Sequence, residues 1–221
     1  MINLAHAGAL CLAALVLAGC NSTTSTAYRT INLAISGPES SITAAQVNRL
    51  GRPGLLATFG LSETLLVQAG RSGSFAEWHG PAQMLVTHNG RLVQSAGIPE
   101  QGDIIAPLLR DDPFLGDLRA LAEGYEVTRI IDMPARFLTN IPQHARYRSG
   151  PVETIDIMGV ERELQRVDEA ISMPSIDFKT TNYYWIDPAS GAVLASAQHL
   201  APDLPVLYLT EVTPLDTEQQ P

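Results

Sequence analysis

"FAEWHGPAQMLVTHNGRLVQSAGI", residues 75–98, decides the fold class. Asn89-Gly90 stands between "MLVTH" and "RLVQS". Both central positions of a type I′ turn need positive φ, and Asn-Gly supplies them at the lowest steric cost. The flanks are rich in β-formers and partly alternate. The stretch is predicted to fold as a β-hairpin.

The same pattern extends outward. Residues 181–200, "TNYYWIDPASGAVLASAQHL", place aromatic and β-branched residues before a Pro- and Gly-bearing turn at 187–191, which predicts a second hairpin. Residues 55–60, 63–73, 125–133, 152–159 and 204–212 read as further strands. "AGRSGS", residues 69–74, is Gly-rich, but a strand-like "FAEW" follows it. A phosphate cradle would instead lead into a helix N-terminus, so this is a hairpin turn. Two short helices are expected. Over residues 40–51, Thr43 can cap, Ile42 and Val47 can form a staple, and Gly51 suits the C-terminal position. Over residues 111–124, Asp111 or Asp112 can cap, Pro113 starts the helix, and Phe114, Leu118 and Leu121 share a face. Residues 160–171 are ambiguous: apolar positions 160, 164, 167 and 171 fit a helical stripe, whereas the flanks are strand-like. No internal repeat of fixed period is evident. Many strands joined by hairpins, without a strand–helix rhythm, imply a mainly β domain. Its antiparallel meander sheet is expected to curve into a partial barrel or sandwich, with two short helices.

The chain has 221 residues, 45% hydrophobic and 17% charged, which suits one folded domain. Its net charge of −9 argues against nucleic acid as a partner and against electrostatic attraction to anionic lipid. Of 14 basic residues, Lys179 alone is lysine, so cationic sites are guanidinium forks. Cys11 and Cys20 both lie in the first 20 residues, so nothing downstream can form an intrachain disulfide or a Cys-ligated zinc site.

The N-terminus reads as an export signal. Residues 7–19 are apolar and uncharged, the length of a signal-peptide core and too short to span a bilayer. Leu17, Ala18, Gly19 and Cys20 match the bacterial lipobox at all four positions. The expected organisation is a lipoprotein signal peptide over 1–19, then a lipidated Cys20 and hydrophilic tether over 20–29. A single β-rich domain over 30–215 and a polar tail over 216–221 complete it. Acyl chains on Cys20 would anchor the protein, each buried methylene contributing about 0.8 kcal/mol. The residue after the cysteine is Asn21. Enterobacterial lipoproteins retained in the inner membrane favour Asp there, so Asn21 implies the outer membrane, with the domain in the periplasm.

No serine-nucleophile elbow, zinc-protease motif or nucleotide loop is present. His6, His79, His88, His144 and His199 are scattered; His79 and His88 without a clear third ligand make a poor metal site. No cofactor or metal is expected. Trp78, Tyr183, Tyr184 and Trp185 lie near strand ends, where rings can stack on sugar faces or simply fill the core. Glu77, Asp132, Glu153 and Asp156 are the acids a glycan-cleaving enzyme could use, although nothing in the sequence pairs them.

The order of these segments carries a resemblance. "TFG" is followed by Trp78, then Asn89, Gly90, Arg91, Ser95 and Gly97, then Asp112-Pro113. "NYYWIDPASGAVLASAQHLAPDLP" follows, with Tyr184, Gly191, Val193, Ser196 and Gln198. Behind a lipobox, this order resembles the YjbF family of group 4 capsule polysaccharide lipoproteins over about residues 30–213. The resemblance implies a β-meander lipoprotein of the outer membrane. It implies a non-enzymatic role in capsule or exopolysaccharide export or assembly, by binding glycan or an export component. Trp78, Arg91, Tyr184, Trp185 and Gln198 are the candidate binding residues. It also favours strand over helix for residues 160–171. Two alternatives stand beside it: a periplasmic carbohydrate-active enzyme that trims the polymer, and a general envelope lipoprotein docking a β-barrel partner through a sheet edge.

Overall fold

The computed structural model describes residues 40–214. The lipobox, the tether and the polar tail lie outside the described residues. One 11-stranded antiparallel sheet dominates, curled into a half-barrel. Its strands are β1 (Gly54–Phe59), β2 (Ser62–Ser72), β3 (Phe75–His79), β4 (Met84–His88), β5 (Arg91–Ala96), β6 (Glu126–Met133), β7 (Leu138–Ile157), β8 (Val160–Met173), β9 (Phe178–Ile186), β10 (Val193–Gln198) and β11 (Leu207–Val212). Two meanders, β1–β5 and β6–β11, join where β1 pairs with β11, which leaves β5 and β6 as the edges. The predicted mainly β meander is the observed one.

The sheet curls because its ladder is repeatedly interrupted. Register shifts fall in the β2–β3, β4–β5, β6–β7, β7–β8 and β9–β10 pairs, and each adds local twist. The curl brings the two edges within one residue of each other: Ile105 bridges Gln94 of β5 and Asp132 of β6. Ala106 N donates to Val93 O at 2.8 Å, and Ile105 N to Asp132 O at 2.9 Å. Edge groups that would otherwise await another chain are thereby partly satisfied.

Asn89 and Gly90 have φ of 43° and 75°, as the type I′ reading required. The segment 75–98 contains three strands rather than two, because β3 pairs with β4 as well as with β2. Helix α1 (Ala44–Leu50) also forms as expected. Thr43 and Gln46 make the reciprocal capping box, and Gly51 closes it at φ 64°.

The expected helix over 111–124 does not form. Two single 3₁₀ turns stand there, Pro113–Leu115 and Leu118–Ala120, capped separately by Asp112 and Asp117. Gly116 between them is fully extended, at φ −116° and ψ −158°, so no helical hydrogen bond can pass through. Residues 160–171 are strand. Their helical spacing arises because Leu164 packs on the outer face of the sheet while Val167 and Ile171 face the interior. β7 is far longer than the predicted 152–159. Its Pro142 precedes the start of β8 pairing at His144, where a missing N–H costs no bond to β8.

Two apolar cores result. The larger fills the concave side. The smaller lies on the outer face, where Ile155, Ile157 and Leu164 of the β7–β8 hairpin tip meet Val47 of α1, Trp185 and Val212.

One short motif does recur along the chain. V-x-R-x-I-x-M-P at 127–134 recurs as V-x-E-x-I-x-M-P at 167–174. Both copies end a strand in the same turn, with Met133 at φ −124°, ψ 83° and Met173 at φ −123°, ψ 83°.

Candidate functional site

The variable position of that repeat is charged, and alternation sends it inward in both copies. Arg129 on β6 and Glu169 on β8 therefore meet inside the half-barrel, each 0% exposed. Arg129 Nη1 donates to Glu169 Oε1 at 2.7 Å. Arg91, from the first residue of β5, donates to both Glu169 oxygens at 2.8 Å. Tyr147, Tyr184 and Asn182 complete the carboxylate's shell, at 2.5, 2.9 and 2.9 Å. Asp112 takes Arg129 from the other side, through Nε and Nη2. Two guanidinium groups thus face two carboxylates, with no formal excess.

Burial would push Glu169 up; the fields of Arg91 and Arg129 and its hydrogen bonds outweigh that and hold it well below the usual carboxylate range. Burial, then the Glu169 charge, pushes Tyr147 and Tyr184 up. A carboxylate held ionised and sealed from water is no general base for an external substrate. The cluster's role is structural.

A strap, residues 107–124, closes over it. Phe114 is its anchor. The ring sits 4.6 Å from the Tyr184 ring, with Arg91 Cζ 5.6 Å and Arg129 Cζ 6.0 Å from its centroid. Gly116, Asp117 and Arg119 of the strap form one wall of an open basin of about 410 Å³ at the turn end of the half-barrel. The turns between β2 and β3, β4 and β5, and β9 and β10 form the others.

The basin wall is fixed by hydrogen bonds between turns. Asn89 Nδ2 donates to Gly191 O at 3.3 Å, and Val193 N donates to Asn89 Oδ1 at 3.1 Å. Arg119 Nη1 reaches Pro188 O and Ala189 O at 3.1 and 2.7 Å, while its Nε holds Asp117 at 2.9 Å. Across the basin, Arg71 pairs with Glu211. Only glycine fits at position 90: φ is 75°, and a Cβ would stand 2.5 Å from Val193 Cγ1.

The sequence candidates all lie beneath surfaces rather than on them. Trp78, Arg91, Tyr184, Trp185 and Gln198 are each at most 3% exposed, so no ring among them offers a face to a sugar. Three support the basin from below. Trp78 Nε1 donates to Thr87 Oγ1 at 2.9 Å, and its ring lies 5.5 Å under the Arg71 guanidinium. Gln198 donates to Gly90 O at 3.0 Å and accepts from Leu92 N at 3.0 Å, which fixes the β4–β5 turn. Arg91 follows that turn directly. Tyr184 belongs to the Glu169 cluster. Trp185 is apart, on the outer face, where its Nε1 donates to Glu153 at 2.7 Å. Sequence reasoning missed Arg129, Glu169, Arg71, Arg119 and Glu211. The first two were signalled by opposite charges at equivalent places in an otherwise apolar inward stripe.

The four acids of the enzymatic alternative do not converge. Glu77 pairs with exposed His79, Asp132 accepts from Asn140 N, Glu153 binds Arg166 and Trp185, and Asp156 accepts from Gly159 N. Among the described residues no group of three or more His, Cys, Asp or Glu could hold a metal ion, and no helix is long and apolar enough to cross a membrane.

Comparison with known proteins agrees with this architecture. The crystal structure of the hypothetical lipoprotein YmcC from Escherichia coli K12 superposes with a TM-score of 0.67. The alignment covers 80% of this chain and 92% of that one at 20% identity, which is a likeness of fold. A comparison with curated proteins finds no match. The family described as "Group 4 capsule polysaccharide lipoprotein gfcB, YjbF" matches residues 28–212. The chain belongs to the YjbF family of group 4 capsule polysaccharide lipoproteins.

Proposed function

We propose that this lipoprotein hangs from the outer membrane by acyl chains on Cys20. Its domain faces the periplasm and assists surface-polysaccharide export or assembly without catalysis, by binding the glycan. The family match over residues 28–212 carries this reading. Asn21 after the lipidated cysteine supports the membrane, and a pre-organised polar basin beside a sealed interior supports binding over catalysis.

A strain lacking the gene is expected to show less surface polysaccharide, or chains of altered length. Unchanged amount and length would sink the proposal. The anchor is tested separately: Cys20→Ser should abolish incorporation of labelled fatty acid and release the protein from the membrane fraction. Full labelling of the variant would place the lipid elsewhere.

A further inference from the structure

We infer that the basin at the turn end of the half-barrel is a binding site for an uncharged, diol-bearing sugar unit, recognised by paired guanidinium and carboxylate groups rather than by ring stacking. The inference rests on the glycan-binding reading above and specifies where and how the contact is made.

Charge balance comes first. The charged residues lining the basin are Arg71, Arg119, Asp117 and Glu211, two of each sign, each arginine paired to one acid. An anionic ligand would gain no net attraction and would approach two carboxylates. A hydroxyl-rich ligand meets a different surface. Each side chain of such a pair keeps spare hydrogen-bonding capacity after pairing. Among the described residues, no protein donor reaches Glu211 Oε2, and no acceptor is met by Arg71 Nη1. Neighbouring donors and acceptors of this kind suit adjacent sugar hydroxyls, each of which both gives and takes a hydrogen bond.

Rigidity comes second. Binding is tightest where the site loses little freedom on occupancy. Asn89 ties two of the turns together, and Arg119 ties a third segment to them. At about 410 Å³ the space falls within the range of small-ligand pockets. No aromatic face lines it; Trp78 lies beneath Arg71. The polar lining must therefore supply the specificity.

The test uses the full-length protein in detergent micelles. The probes are oligosaccharides released by mild acid from the surface polysaccharide of the same bacterium, separated into neutral and uronic-acid-bearing fractions, with inorganic phosphate as a competitor. Calorimetric titration should show binding of the neutral fraction, indifferent to phosphate. Arg119→Ala should weaken it by about tenfold or more, the scale of a lost charged hydrogen bond. Ser74→Trp, at an exposed basin position that makes no side-chain bond within the described residues, should abolish it by filling the space, with the melting temperature unchanged. Wild-type binding that both variants retain would overturn the basin and leave the glycan reading intact. Binding of the acidic fraction alone, or displacement by phosphate, would overturn the neutral class. No binding of either fraction by the wild type would overturn the glycan reading itself.

Discussion

Replacing Glu169 by glutamine is expected to destabilise the domain by about 3–5 kcal/mol, the cost of breaking a buried ion pair from one side. The substitution keeps the shape and removes one charge. Arg91 and Arg129, 3% and 0% exposed, then face each other across a neutral amide with only Asp112 to balance them. The double variant Glu169→Gln with Arg91→Met restores the balance, since Arg129 and Asp112 remain as a pair. It should therefore be more stable than Glu169→Gln alone. Urea midpoints at equal m-value decide this; a double variant less stable than the single would show that the arginines do not repel.

The same cluster fixes the direction of the pH response. Glu169 is held below its unfolded value, so the unfolded chain takes up a proton first as pH falls. Its contribution is complete above the ordinary carboxylate range, about pH 4–5, and is lost progressively below it. The stability gap between wild type and Glu169→Gln should narrow between pH 7 and pH 3. A gap independent of pH would mean that the fold does not hold the Glu169 carboxyl below its unfolded value.

How much of this was legible in the sequence depended on range. Asn89-Gly90 and the Thr43 cap with Gly51 are local devices, and each specified its element; the structure adds Gln46 to the cap. The reading of residues 111–124 failed at a junction. Asp112-Pro113 does open a helical turn, but the apolar spacing of Phe114, Leu118 and Leu121 was satisfied by two separate turns laid across the half-barrel. The buried ion pair was written in the sequence twice, as Arg129 and Glu169 in matching octapeptides. The basin was not. Its walls come from turns far apart along the chain, and the Arg71–Glu211 pair spans 140 residues. No periodicity marks such a meeting. Ile105 is the extreme case: one residue bridges the sheet edges, and one residue makes no pattern. The candidates Trp78 and Gln198 lie buried, one layer beneath the basin.

Phe114→Ala should cost about 3–5 kcal/mol, as other buried Phe truncations do, and the loss should be uneven across the fold. Phe114 is 1% exposed and packs on Tyr147 and Tyr184. The strap is also held by Leu118, by Asp112 on Arg129, by the Tyr125 hydroxyl donating to Asp111 O at 2.7 Å, by Arg119 on Pro188 O and Ala189 O, and by Gly124 N on Tyr147 O. Two single 3₁₀ turns contribute little stability of their own. Without the ring, water gains access to Asp112 and Arg129, and their pairing weakens as the local dielectric rises. Amide exchange in residues 107–124 should accelerate far more than in β8 or β9, and protease cleavage should appear within the strap before the sheet is lost. The basin should respond with it, because Arg119, which pins the β9–β10 turn, rides on the same strap. If exchange rose equally in the strap and the central strands, the strap would be an inseparable part of the core. The basin wall would then be as rigid as the sheet.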